Sequence, residues 1–285
     1  MNETPEKYID VDSVVRTRAP GYYRFIPRFL IRKLERIICQ DRLNELWHRH
    51  RDQQGLELCE GLLSDLRVNL DVVNPENLPD KTDRRVLFVS NHPLGGLDGI
   101  ALIDLIGRHY GVEPLFVVND LLMALTPFHS VFVPINKFGT QSRESVKAID
   151  EAFESDRPVI IFPAGLVSRR QKKGVIADLE WQKMFVMKAR RFGRDIIPLY
   201  FSGGNSPFFY KFAKFRKRIG LRFNIEMIYL PREVFRCEGK TFTIFVGKRI
   251  PVASIEKGNA AEIAERIKRL VYSLPQQTQN GTKNN

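Results

Sequence analysis

Apolar residues recur along this chain in two patterns, and the change from one to the other divides it. From about residue 22 to about residue 70 they fall at helical spacing: Leu30, Leu34, Ile37 and Ile38, then Leu43, Leu46 and Trp47. Arg28, Arg32, Lys33 and Arg36 take the other face of the first of these helices. The breaker-rich run Asn74-Pro75-Glu76-Asn77-Leu78-Pro79-Asp80 closes this segment. Beyond it, short continuous apolar runs alternate with helical ones. Strands are predicted over 86–90, 115–118, 131–135, 159–162, 196–201 and 241–247, and helices over 100–110, 142–154 and 177–192. Such alternation predicts an α/β fold: a mainly parallel mixed sheet flanked by helices on both faces, with an N-terminal helical segment ahead of it. The organisation read this way is a flexible polar arm over 1–20, a helical segment over 21–79 and an α/β domain over 80–275. A tail over 276–285, rich in Gln, Asn and Thr, is expected to be disordered.

Composition narrows the class. At 43% hydrophobic and 27% charged, the 285 residues match an ordinary globular protein. No stretch approaches the roughly 18–20 apolar residues of a membrane span. The N-terminal Met1-Asn2-Glu3-Thr4-Pro5-Glu6-Lys7 has neither the basic flank nor the apolar core of a secretory signal. Cys39, Cys59 and Cys237 are odd in number and far apart, which points to reduced thiols in a cytoplasmic setting, with no disulfide framework and no metal cluster. The net charge of +12 is concentrated around 16–36, 167–173, 183–194 and 211–222, and implies a polyanionic partner. Around 208–218 aromatics and cations interleave: on a helix Phe208, Phe212 and Phe215 share a face, with Lys211, Lys214 and Arg218 beside them. That pattern suits a helix lying on an anionic bilayer. A core-facing stripe with a solvated flank fits the spacing equally well. No recognition module for nucleic acid surrounds it, so no nucleic-acid partner is expected.

Two segments carry candidate chemistry. In Ser90-Asn91-His92-Pro93-Leu94-Gly95-Gly96-Leu97-Asp98-Gly99 a histidine leaves a strand, passes a double glycine and meets a carboxylate where the next helix begins. Histidine accepts a proton near neutral pH, and a carboxylate on its other ring nitrogen fixes the tautomer. In Val159-Ile160-Ile161-Phe162-Pro163-Ala164-Gly165-Leu166-Val167-Ser168-Arg169-Arg170 an apolar strand runs into a sharp turn, a hydroxyl and two guanidiniums. Such a loop suits an anionic or carbonyl ligand. His92, the Pro163-Ala164-Gly165 turn and Ser202-Gly203-Gly204 all lie just past a predicted strand end, where ligands of parallel sheets bind, and are expected to converge. Gly239-Lys240-Thr241 lacks the preceding glycine of a phosphate loop, and no Gly-x-Ser-x-Gly elbow is present.

Taken in order, Asn91-His92…Asp98, Phe132-Val133-Pro134-Ile135-Asn136-Lys137, Phe162-Pro163-Ala164-Gly165…Ser168-Arg169 and Ile196-Ile197-Pro198-Leu199 resemble the four blocks of the lysophospholipid/glycerolipid acyltransferases. The resemblance spans roughly 80–252 and is nearest to the hemolysin-labelled branch, which includes O-acyltransferases that finish ornithine and glycine lipids. It implies transfer of a fatty acyl group from an acyl thioester, on acyl-carrier protein or coenzyme A, to the hydroxyl of a lyso-lipid, with His92 as base and Asp98 as its orienter. It further implies substrate contacts by Asn91, Gly95, Gly96, Lys137, Pro163, Gly165, Ser168, Arg169 and Arg170. No metal and no cofactor beyond the thioester co-substrate is implied. Acyl-carrier protein as donor, a lyso-lipid as acceptor and peripheral binding to the cytoplasmic face of the inner membrane complete the expectation. Three departures stand out. Asp98 lies six positions after His92, one more than usual; Ala164 replaces the usual third-block Glu; and Lys137 stands nearest the missing second-block Arg. They favour an acceptor bearing a carboxylate, such as an N-acyl amino acid, over lysophosphatidic acid. The other readings are a lysophosphatidic acid acyltransferase and a lipid-binding protein that kept the fold without the chemistry.

Overall fold

The computed structural model describes residues 8–18, 20–135, 143–221 and 224–281. Seven strands form one sheet. In chain order they are β1 (Asn69–Val73), β2 (Val86–Ser90), β3 (Leu115–Asn119), β4 (Phe132–Ile135), β5 (Val159–Ile161), β8 (Asp195–Phe201) and β9 (Thr241–Val246), arranged β1-β9-β8-β2-β5-β3-β4. Every neighbouring pair is parallel except β8 with β9. A two-stranded antiparallel hairpin, β6 (Arg169–Arg170) with β7 (Ile176–Ala177), stands apart from the sheet. The expected mixed, mainly parallel sheet is therefore present.

Helices cover both faces because the central strands are apolar on both sides. All five residues of β2 are buried; Phe88 packs into the cluster with Leu58, Leu62, Leu102 and Ile106, and Leu87 and Val89 into the one with Phe153, Phe185, Ile267 and Val271. The first face thus carries α5 (Gly55–Asp65) and α6 (Leu97–Tyr110), and the second α7 (Arg143–Glu154), α8 (Met184–Phe192) and α11 (Ala260–Gly281). Between β8 and β9 the chain makes an excursion containing α9 (Pro207–Arg218) and α10 (Leu230–Phe235). Phe209 and Tyr210 of α9 pack with Val167, Met227, Tyr229 and Leu230 into a third, small cluster. Leu230 and Val167 lie against Gly95, so this excursion roofs the loop that carries His92.

Four expectations need correction. The segment over 21–79 is helical through α2 (Pro20–Tyr23), α3 (Arg28–Ile37), α4 (Gln40–Arg49) and α5, but it then supplies β1, which pairs in parallel with β9 from Asn69↔Thr241 to Val73↔Phe245. An edge strand with one distant partner leaves only a faint local pattern. The arm over 1–20 contains α1 (Val11–Arg18), anchored to α4 where Asn44 Oδ1 accepts from Ile9 N (2.8 Å) and Gln40 Oε1 from Val11 N (2.8 Å). The tail continues as helix to Gly281, carried by the buried Ile263, Ile267, Val271 and Leu274 face of α11. The helix predicted over 177–192 begins only at Met184, because Ile176–Ala177 pair with β6 and the following residues spend their polar groups on tertiary partners.

Candidate active site

β2 lies between β5 and β8 and ends at Ser90, so residues 91–96 leave the sheet at its middle, in the crevice where parallel sheets hold ligands. His92 Nδ1 lies 2.9 Å from Asp98 Oδ2. A carboxylate only accepts, so Nδ1 is the donor in this contact, which leaves Nε2 as the ring nitrogen turned away from Asp98. Gly95, at φ +84, lets the lengthened loop curl around the carboxylate. Leu94 N (2.9 Å) and Gly95 N (3.4 Å) donate to the same Oδ2, and Gly99 N to Oδ1 (3.1 Å). The extra residue is thereby absorbed without separating the pair. Asp98 is fully buried. Burial pushes its carboxyl up, but the His92 ring and the backbone donors outweigh this and hold it below the usual carboxylate value.

Neighbouring strands hold the rest of the histidine. The His92 ring stacks on Phe162 at the end of β5, with centroids 4.1 Å apart and an interplanar angle of 19°. Its carbonyl accepts from Ser168 N (2.7 Å), and its N–H donates to Asp178 Oδ1 (3.2 Å). Asp178 is buried and also accepts from Ser168 Oγ (2.5 Å) and Trp181 Nε1 (2.9 Å), while its own N–H donates to Tyr272 Oη (2.7 Å) on α11.

The expected convergence of the strand ends is present, but several residues read as substrate contacts do other work. Asn91 spends both ends of its amide on Phe201: Nδ2 donates to the carbonyl (2.9 Å) and Oδ1 accepts from the N–H (2.7 Å). It is a strut between β2 and β8. Ser168 is buried, and its hydroxyl is committed to Asp178. Arg169 was expected to hold the acceptor's anion. Its guanidinium instead pairs with the buried Glu226 (2.9 Å), which also pairs with Arg216 (2.9 Å), so two arginines share one carboxylate. Burial pushes the Arg169 guanidinium down, against the pull of Glu226. This cluster ties the hairpin to the roofing excursion. Arg170 is exposed on β6. The Pro163 carbonyl accepts from Gln182 N (3.0 Å), and the Gly165 N–H closes its own turn on the Phe162 carbonyl (2.9 Å), which removes it as a free oxyanion donor. Gly96 is the N-cap of α6. Lys137 lies outside the described residues. Sequence reasoning missed Phe162 as the stacking partner, and it missed Asp178 and Glu226 altogether. Neither acid belongs to a recognisable spacing.

An imidazole ring oriented by a buried carboxylate, beside the N-terminus of a helix, has the chemistry to take a proton from a hydroxyl. The chain belongs to the acyltransferase family, whose model matches residues 13–281. It is 44% identical over 267 residues to the lyso-glycine lipid O-acyltransferase of Bacteroides thetaiotaomicron, covering 93% of this chain and 97% of that protein. It is 42% identical to the lyso-glycine lipid O-acyltransferase of Phocaeicola vulgatus, covering 93% and 95%. The crystal structure of the 1-acyl-sn-glycerophosphate acyltransferase PlsC from Thermotoga maritima matches at 15% identity and a TM-score of 0.46, over 93% of this chain and 94% of that one.

Proposed function

We propose that this acyltransferase moves a fatty acyl group from a thioester to the free hydroxyl of a lyso-glycine lipid, an N-acylated amino acid with a carboxylate head. The observation that carries the reading is the His92–Asp98 pair in a chain that is more than 40% identical, over nearly its full length, to two lyso-glycine lipid O-acyltransferases. His92 Nε2 takes the hydroxyl proton as the acceptor oxygen attacks the thioester carbonyl. The Nδ1–H bond to Asp98 stabilises the imidazolium that forms. The oxyanion sits toward the Gly96 N–H at the N-terminus of α6, where the helix dipole favours negative charge. Collapse of the tetrahedral intermediate breaks the carbon–sulfur bond, and the leaving thiolate takes the proton back from His92. The donor is acyl-carrier protein or coenzyme A carrying the chain.

With Arg169 committed to Glu226, the exposed Arg170, with Lys137, is the guide for the acceptor's carboxylate. Purified protein incubated with each acyl thioester and a panel of lyso-lipids should convert a lyso-glycine lipid faster than lysophosphatidic acid, read by mass spectrometry. Arg170→Ala should raise the KM for that acceptor more than the KM for the donor. Efficient turnover of lysophosphatidic acid with none of the lyso-glycine lipid would overturn the assignment. Arg169→Ala is the poorer probe, because it strips one of the two arginines from the buried Glu226 and so disturbs the tie between hairpin and roof as well.

Both substrates are amphiphiles, which places the reaction at a bilayer surface, proposed here as the cytoplasmic face of the inner membrane. No helix among the described residues is long and apolar enough to cross a membrane. On α9, Phe209, Tyr210 and Ala213 face inward, while Phe208 (49% exposed) and Phe215 (58%) face outward with Lys211 and Lys214. Ile219, Leu221, Ile225 and Ile228 extend this exposed apolar surface, and Tyr22, Phe25 and Phe29 present a second one near the N-terminus. Each cation near an anionic leaflet contributes about 1 kcal/mol, weakened by salt. Changing Lys211, Lys214, Lys217 and Arg218 to glutamine should shift the protein from sedimenting anionic vesicles to the supernatant. Equal pelleting of variant and wild type at low and high salt would defeat this placement.

A further inference from the structure

The base is held at two ends by two different carboxylates. Asp98 orients the His92 ring; Asp178 holds its main chain. Asp178 stands between the third and fourth sequence blocks, ten residues after Ser168, and is 2% exposed. No Lys, Arg or His side chain forms an ion pair with it among the described residues. A buried carboxylate without a counter-cation is costly and persists only where hydrogen bonds replace its lost water. Here three donors do so: His92 N at 3.2 Å, Ser168 Oγ at 2.5 Å and Trp181 Nε1 at 2.9 Å. The Ser168 N–H donates to the His92 carbonyl (2.7 Å), so the first and third blocks are joined twice, once directly and once through Asp178. Tyr272 on α11 buttresses the arrangement through the Asp178 N–H.

We infer that Asp178 is a positioning residue for acyl transfer: its carboxylate locks the main chain of His92 to Ser168, setting where Nε2 meets the acceptor hydroxyl. The Asp98 loop alone leaves the root of the histidine free to pivot, because Pro93 has no N–H to anchor it and Gly95 and Gly96 follow. An asparagine at 178 keeps the shape but has one acceptor oxygen. It cannot serve both the His92–Ser168 side and the Trp181 indole, and its amide hydrogens then face a donor. The inference needs His92 to act as base and does not depend on which acceptor is used.

The test is Asp178→Asn, alone and combined with His92→Ala, assayed on whichever acceptor the wild type turns over fastest. Displacement of a base by a fraction of an ångström to an ångström costs about ten- to a hundredfold in rate. The expected result is a loss of that size in kcat, with the KM of both substrates within about twofold and the thermal transition still cooperative. In the His92→Ala background the same change should have no further effect on the residual rate, since there is no base left to misplace. Should Asp178→Asn fail to fold, Ser168→Ala removes one bond to the same carboxylate oxygen. It should cost about three- to tenfold in kcat with the same dependence on His92. Wild-type kcat in these variants, or an equal fractional loss with and without His92, would overturn the inference. A shift in acceptor preference with the kcat effect intact would count against the proposed acceptor only.

Discussion

His92→Ala should lower turnover by about two to four decades and leave the protein folded. The histidine side chain is 15% exposed, and its hydrogen bonds to Ser168 and Asp178 come from the backbone, so alanine keeps them. The ring contributes a stack on Phe162 and the bond to Asp98; losing both costs packing at the edge of the crevice but opens no cavity in the main core. The loss therefore falls on the chemical step. Single-turnover measurements should show binding of the thioester unchanged while the rate of acyl appearance on the acceptor collapses. Near-wild-type transfer by this variant would end the general-base mechanism.

Asp98→Asn should reduce turnover about as far, and it should also cost stability. Its Oδ2 accepts from His92 Nδ1, Leu94 N and Gly95 N, while Oδ1 accepts from Gly99 N. An asparagine has one acceptor oxygen for these two sets. If the oxygen serves the loop, the amide meets Gly99; if it serves Gly99, the amide meets the imidazole and turns the ring to the wrong tautomer. A buried donor or acceptor left unmatched costs about 1–3 kcal/mol. The pH dependence of that cost has a definite sign. The folded-state pKa of Asp98 lies below its ordinary value, so its ionisation stabilises the fold fully above the ordinary carboxylate pKa, and this is lost as pH falls through the lowered one. Denaturation series from pH 7 to pH 3 should therefore show the gap between wild type and variant closing toward acid. A gap that stays constant or widens toward acid would show that the paired, ionised Asp98 is not what stabilises the loop.

The linear sequence determined the blocks, their order and the pairing of His92 with Asp98. A histidine after a buried strand and an aspartate at the next helix start are close in the chain, and the double glycine between them makes the contact feasible whatever the rest of the fold does. The alternation of apolar runs likewise determined the α/β class, since strands buried on both faces need helices on both sides. Tertiary structure decided what depends on partners far away in sequence. β1 exists as a strand because β9 lies beside it, more than 160 residues later. Asn91 became a strut because β8 puts Phe201 across from it, and Arg169 was drawn from substrate to Glu226 by a roof that local spacing does not encode. The helix expected from 177 is cut short because the Asp178 side chain has His92, Ser168 and Trp181 to bind, and these bonds, together with β-pairing at Ile176–Ala177, outweigh the modest gain of another turn of helix. A polar residue's role is set by which donors and acceptors surround it once buried, and only the folded chain brings those together.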